Sequence, residues 1–188
     1  MLNEVPENRQ VQRTRRAAQE AFFALLLERR YDEMKIGDVI ARAGIGRSTF
    51  YEHYTGKDDL LREGLSGPFS VLADSITERH DPAKLQAVIE HFWEHRRIGN
   101  ALFGSSTREV AVKTLAALFE SRLNEVSPVD GFGLPPILIA AQLAAGQFAL
   151  ISAWCAGHAS ASAEAISHRL YFTAKASLCG PEPRTVPI

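Results

Sequence analysis

The sequence is poor in cysteine: Cys155 and Cys179 are the only two in 188 residues. Two thiols make no disulfide framework, so a small stapled secreted domain is excluded and a reducing, cytoplasmic setting is expected. The first eight residues lack a basic-then-apolar signal pattern. No run alternates apolar and polar residues strictly enough for a strand, and no Asn-Gly or Asp-Gly hairpin turn occurs. Phosphate-binding glycine patterns and a Gly-x-Ser-x-Gly elbow are also missing, which removes the common nucleotide-binding and serine-hydrolase readings. Excess charge is absent too. With 21 basic and 22 acidic residues the net charge is −1, so bulk attraction to nucleic acid is excluded and only a local basic patch can serve that purpose.

A further absence is confined to one segment. Between Asp130 and Glu164 there is no Asp, Glu, Lys or Arg. Its centre, residues 134–156, is long enough to cross a bilayer. Gln142 and Gln147 in the middle, many alanines, and Pro135-Pro136 at the start make it a poor membrane insert. The expectation is a helix buried all round within protein, with a membrane-anchored regulator as the alternative.

What is present is helical periodicity. Ala18, Ala21, Phe22 and Leu25 mark a first helix over about 10–29, and Ile36, Val39 and Ile40 a short second one over 36–43. Gly44-Ile45-Gly46 ends the second helix, and a third covers 47–54. Thr55 and Asp58 have capping-box spacing at the start of a fourth. Gly67-Pro68 is expected to kink or end that fourth helix, because proline lacks an amide and clashes with the preceding turn. Asp81 followed by Pro82 predicts a helix start, running to about 97. Ser106 and Glu109 predict another to about 124, and helices over 136–156 and 162–178 complete the chain.

Residues 36–57 carry the most information: helix, glycine-bearing turn, helix. Gly44 can adopt the left-handed conformation that ends one helix and starts a sharp turn. Ile45 is placed to fill the angle between the helices, and Phe50 lies on the inner face of the second. That is how a helix-turn-helix is built, with its second helix laid in the DNA major groove. Arg47, Ser48, Thr49, Tyr51 and His53 form the outward, hydrogen-bonding face. Eight residues of helix span about 12 Å, the width of the groove. A polar helix end on an ordinary bundle is the competing reading.

The sequence also resembles a family here. Residues 10–66 are similar to the DNA-binding domain of the tetracycline-repressor (TetR) family of bacterial regulators. The resemblance rests on Ala41-Arg42-Ala43-Gly44-Ile45-Gly46-Arg47-Ser48-Thr49-Phe50-Tyr51-Glu52-His53-Tyr54, on Gly56-Lys57-Asp58-Asp59-Leu60-Leu61, and on Glu28-Arg29-Arg30-Tyr31 upstream. It implies a homodimer on a palindromic double-stranded DNA operator and a small-molecule effector. It further implies DNA contacts from Lys35, Arg47, Ser48, Thr49, Tyr51, His53, Tyr54 and Lys57. Two positions depart from the family pattern. Gly46 stands where a capping serine is usual, and Met34-Lys35 where threonines are usual, so any phosphate contact of Lys35 would be made by charge. Arg9, Arg13, Arg15 and Arg16 fall within eight residues that contain no acid, and a basic arm of this kind can reach neighbouring DNA. The alternative is a solvated helix start.

His91-Phe92-Trp93-Glu94-His95 is an H-x-x-E-H sequence, in which two histidines share a helix face and could bind zinc, with the glutamate as base. With no third protein ligand evident beyond them, a zinc-dependent enzyme using His91, Glu94 and His95 is kept only as an alternative to a solvated face. Trp93, Phe103, Phe119 and Trp154 are candidates to line an effector cavity. The reading is therefore an all-α chain. A three-helix helix-turn-helix domain occupies 10–66, with its recognition helix at about 47–54, and a larger helical ligand-binding and dimerisation domain occupies 67–180. It is expected to be no enzyme, with no catalytic residue, no cofactor and no metal, and to act away from membranes.

Overall fold

The computed structural model describes residues 6–102, 105–126 and 134–178; the expected cavity residue Phe103, the loop at 127–133 and Cys179 lie outside them. Every regular element among the described residues is helical, so the fold is all-α. In chain order these are α1 (Pro6–Glu28), a 3-10 turn (Tyr31–Glu33), α2 (Ile36–Ala43), α3 (Arg47–Tyr51), α4 (Lys57–Asp74), α5 (Pro82–Glu94), α6 (Arg96–Leu102), α7 (Ser105–Glu125), α8 (Pro136–Cys155) and α9 (Ala163–Ala176).

Two compact units emerge: residues 1–65 with 97–111, and residues 66–96 with 112–188. In the first, α1 packs on α2 and α3. Phe22, Val39, Phe50, Leu60 and Leu61 are fully buried there. Burial of each such side chain favours folding by roughly 1.5–3 kcal/mol. The segment 97–111 belongs to this unit although the sequence reading grouped it with the larger domain.

In the second unit α9 packs on α5 and α8, around Leu72, Leu85, Ile89, Leu115, Phe119 and Leu170. Asp81 caps α5 as expected, accepting from the Ala83 and Lys84 amides at 3.0 and 3.2 Å. Ser162 caps α9 through the Ala165 amide at 3.1 Å. Arg122 of α7 reaches α4, donating to Asp74 at 2.7 Å and to the Ser70 hydroxyl at 2.9 Å.

Two helix expectations are corrected. Of the kink or end expected at Pro68, the end does not occur: α4 runs on to Asp74 with the proline inside it. Thr55 is paired with Asp59 rather than Asp58; its amide donates to the Asp59 carboxylate at 2.7 Å and its hydroxyl bonds the same oxygen. These bonds hold the Asp59 carboxyl below its usual pKa. Asp58 is left to accept from the Tyr31 hydroxyl.

Within the single chain, α8 is buried on one face. Ile139, Ala140, Leu143, Ala144, Gln147, Phe148 and Ile151 point inward, while Ile137, Leu138, Ala141, Gln142, Ala145, Gly146 and Ala149 are exposed. By length and composition it is the one helix among the described residues that could cross a membrane. Its inward face nevertheless belongs to the core of the second unit.

Candidate nucleic-acid interface

The site begins at Gly44, whose φ of 64° and ψ of 30° lie in the left-handed region. A side chain there would be strained, and glycine lets α2 stop and the chain turn within three residues. The Gly44 and Ile45 amides return to the Ala41 and Ile40 carbonyls at 3.4 Å each, closing the end of α2. Its other end is closed by Asp38, which accepts from the Lys35 amide at 3.0 Å.

Gly46 then opens α3 in extended conformation without a side-chain cap. Its carbonyl accepts from the Phe50 amide at 2.9 Å. Regular α3 is shorter than expected. It ends at Tyr51: the Glu52 and Tyr54 amides still bond four residues back to the Ser48 and Phe50 carbonyls, while the His53 amide tightens onto Phe50 three residues back. Five residues of helix span about 7.5 Å, and 52–53 continue it only as a turn.

Phe50 anchors this short helix. Its buried ring meets Tyr51 edge-on at 5.4 Å and Tyr54 at 5.3 Å. Arg47, Ser48 and Tyr51 consequently face solvent, Tyr51 with half its surface accessible, while Thr49 and His53 are half-buried. Lys35 is exposed at the start of α2. Two expected contact residues are placed differently. Tyr54 is 3% exposed, so its ring builds the core and supports α3. The Lys57 ammonium is turned inward, donating to the Tyr31 and Met34 carbonyls at 2.6 and 3.2 Å.

The arginines around this face are mostly committed. Arg42 pairs with Glu28 at 2.6 Å and Arg29 with Asp38 at 3.2 Å, cross-bracing α1 and α2. Such exposed pairs contribute about 0–1 kcal/mol each. The basic run at 9–16 is part of α1 rather than a loose arm, with Arg15 beside Glu63 and Arg16 beside Glu20.

The aromatic candidates in the second unit separate. Phe119 is wholly buried in the second unit. Trp93 stacks on Trp154 with ring centres 4.8 Å apart. Together with Glu90, Glu94 and residues 161–163 the two indoles border an open cavity of 310 Å³. Trp154 is fixed by its indole N–H donating to the Ala161 carbonyl at 3.0 Å. The sequence reading missed the polar ties Tyr31–Asp58 and Arg122–Asp74, whose partners are 27 and 48 residues apart and carry no shared pattern.

This geometry coincides with independent matches to known proteins. The family model of bacterial regulatory proteins, tetR family, matches residues 20–63, the end of α1 through the start of α4. Over 85 residues the chain is 38% identical to the HTH-type transcriptional repressor LfrR of Mycolicibacterium smegmatis, covering 42% of this chain and 43% of that one. Over 76 residues it is 36% identical to the uncharacterized HTH-type transcriptional regulator YxbF of Bacillus subtilis, covering 40% of this chain and 20% of that one. The matches thus span less than half of these curated relatives. A TetR transcriptional regulator from Streptococcus agalactiae has a similar solved structure, with TM-score 0.55 and 26% identity over 92% of this chain and 99% of that one.

A helix-turn-helix with an exposed polar second helix, joined in one chain to a separate helical unit, defines the class of helix-turn-helix regulators. Within that class residues 20–63 match the model of the tetR family of bacterial regulatory proteins, and the chain as a whole is similar to a solved TetR regulator.

Proposed function

We propose that this protein is a cytoplasmic repressor that binds a palindromic operator as a homodimer and releases it when a small apolar or amphipathic effector binds the helical unit. The observation that carries the DNA reading is the α3 face. Arg47, Ser48 and Tyr51 are held out by the buried Phe50, with Thr49 half-buried beside them, on a turn that Gly44 makes possible. Arginine at such a position can take guanine bidentately, and the short hydroxyl side chains let the backbone approach phosphate. Lys35 and His53 flank that face and are proposed as phosphate contacts. Lys57 contributes chiefly by holding the 3-10 turn in place.

Pairing is supported by α8. A monomer leaves Ile137, Leu138, Ala141, Ala145 and Ala149 in water along one stripe, with Phe172 of α9 also strongly exposed. Contiguous apolar patches of this kind mark association surfaces, and two-fold pairing is the commonest way to cover them. An effector site is supported by two features of the second unit. One is the cavity beside Trp93 and Trp154. The other is Gln147, 4% exposed, whose side-chain amide has no hydrogen-bond partner among the described residues. A buried amide requires a polar partner, which water or the polar group of an effector supplies.

The test is selection of bound sequences from random duplex DNA, followed by anisotropy titrations with the selected duplex. Two equivalent half-sites about one helical turn apart, or a multiple of it, are expected. Affinity no better for the selected duplex than for random DNA would overturn the regulatory reading.

A further inference from the structure

We propose that the last turn of α5 is a binding site for a divalent transition-metal ion, held by His91, Glu94 and His95. The three residues stand at i, i+3 and i+4 on one helix face. One donor atom from each lies within 4.8 Å of the other two, and all three side chains are exposed. Donors around a four-coordinate ion with bonds of about 2.0–2.2 Å sit roughly 3.4 Å apart. Closing the remaining distance needs only small rotations of exposed side chains.

Two features favour these donors over an incidental cluster. First, His95 Nδ1 lies 3.0 Å from the His91 carbonyl, which can only accept. The Nδ1 proton is therefore fixed and the Nε2 lone pair is left for a metal, the same carbonyl-anchored arrangement that metal-binding histidines use. Secondly, the site is at the carboxyl end of a 13-residue helix, where the peptide dipoles favour a cation.

The neighbouring charges leave the donors available. Glu90 is engaged by Gln86 at 2.9 Å. The Arg96 guanidinium is drawn onto the Trp93 ring, 4.9 Å from its centre, and donates to the Trp93 carbonyl at 3.1 Å. Two imidazoles and a carboxylate suit ions of borderline softness such as Zn²⁺ or Ni²⁺ rather than Ca²⁺ or Mg²⁺. The site is one of binding. With Glu94 engaged as a ligand, no carboxylate of the set remains as a general base. Glu94 also borders the cavity next to Trp93, so the ion would bear on the shape of that cavity.

The experiment uses tag-free, chelator-stripped, full-length protein. Zn²⁺ is titrated calorimetrically, and Co²⁺ by visible absorption, which reports coordination directly. One ion per chain is expected. His91→Ala and His95→Ala should each weaken binding at least about ten-fold, since even outer-shell partners of metal sites are worth roughly 10–100-fold. Glu94→Gln should weaken it too, and His158→Ala should leave it unchanged. Circular dichroism confirms that these surface variants remain folded. Absence of saturable binding at millimolar Zn²⁺, or unchanged affinity in the His91→Ala/His95→Ala double variant, would overturn the proposal. No DNA is present, so failure here is distinct from failure of the regulatory reading.

Discussion

The Lys57 ammonium lies 4.2 Å from the centre of the Tyr31 ring and 2.6 Å from the Tyr31 carbonyl oxygen. The same Tyr31 donates its hydroxyl to Asp58, the next residue after Lys57. The first turn of α4 is thus tied to the 3-10 turn that precedes α2. Burial and the bond to Asp58 push the Tyr31 phenol well above its ordinary pKa, so it stays a donor.

Lys57→Ala should therefore act first on stability. Hydrogen bonds to a charged group are worth about 1.5–3 kcal/mol, and a loss of that order in denaturant unfolding is expected. The slope of log affinity against log salt should hardly change. A slope shallower by about 0.9 per subunit would instead restore Lys57 as a phosphate contact.

Arg47→Ala should cost about 1–3 kcal/mol on the true operator and relax preference at one position per half-site. Operator variants titrated at three salt concentrations check this. Equal losses on every variant would reassign Arg47 to phosphate and leave Thr49 or Tyr51 as the base reader.

Two glycines in α4 should respond differently. A Cβ at Gly64 would stand 2.5 Å from the Phe23 ring and 2.7 Å from the Gln19 side-chain oxygen. Overpacking of this kind costs about 1–3 kcal/mol, more than the gain of up to about 1 kcal/mol from replacing glycine in a helix. Gly64→Ala should lower the melting temperature. At Gly67 a Cβ meets nothing within 4 Å beyond the adjacent residues, but a Cβ before Pro68 crowds the proline ring in a helix, which offsets the helix gain, so Gly67→Ala should change it little.

Pro68 removes the amide that would otherwise donate to the Gly64 carbonyl within α4. If a softened helix transmits effector binding, Pro68→Ala should shift the induction curve while leaving operator affinity nearly intact. An unchanged curve would assign Pro68 to a passive bend.

Leu138 is 54% exposed on α8. On the proposed pairing through α8, Leu138→Glu should leave the helical content of each chain unaltered and give a monomer at micromolar concentration, where the unaltered chain is dimeric. Light scattering coupled to size exclusion measures this directly. A variant that remains dimeric would move the interface away from α8.

Local rules were enough to read much of this protein from its sequence. Helical periodicity, the Gly44 turn, the Asp81 cap and the helix-turn-helix motif all depend on residues within one or two turns of each other. The fold class and the outward α3 face followed from them. Tertiary packing decided the rest. It buried Tyr54 against Phe50, turned Lys57 inward onto carbonyls 23 and 26 residues away, and left α8 covered on one face only. It also let α4 continue through Pro68, and it grouped residues 97–111 with the helix-turn-helix unit. These outcomes depend on which distant groups meet. A linear pattern states what a side chain can do, but only the packed chain states whether a nearer partner within the fold has already taken it.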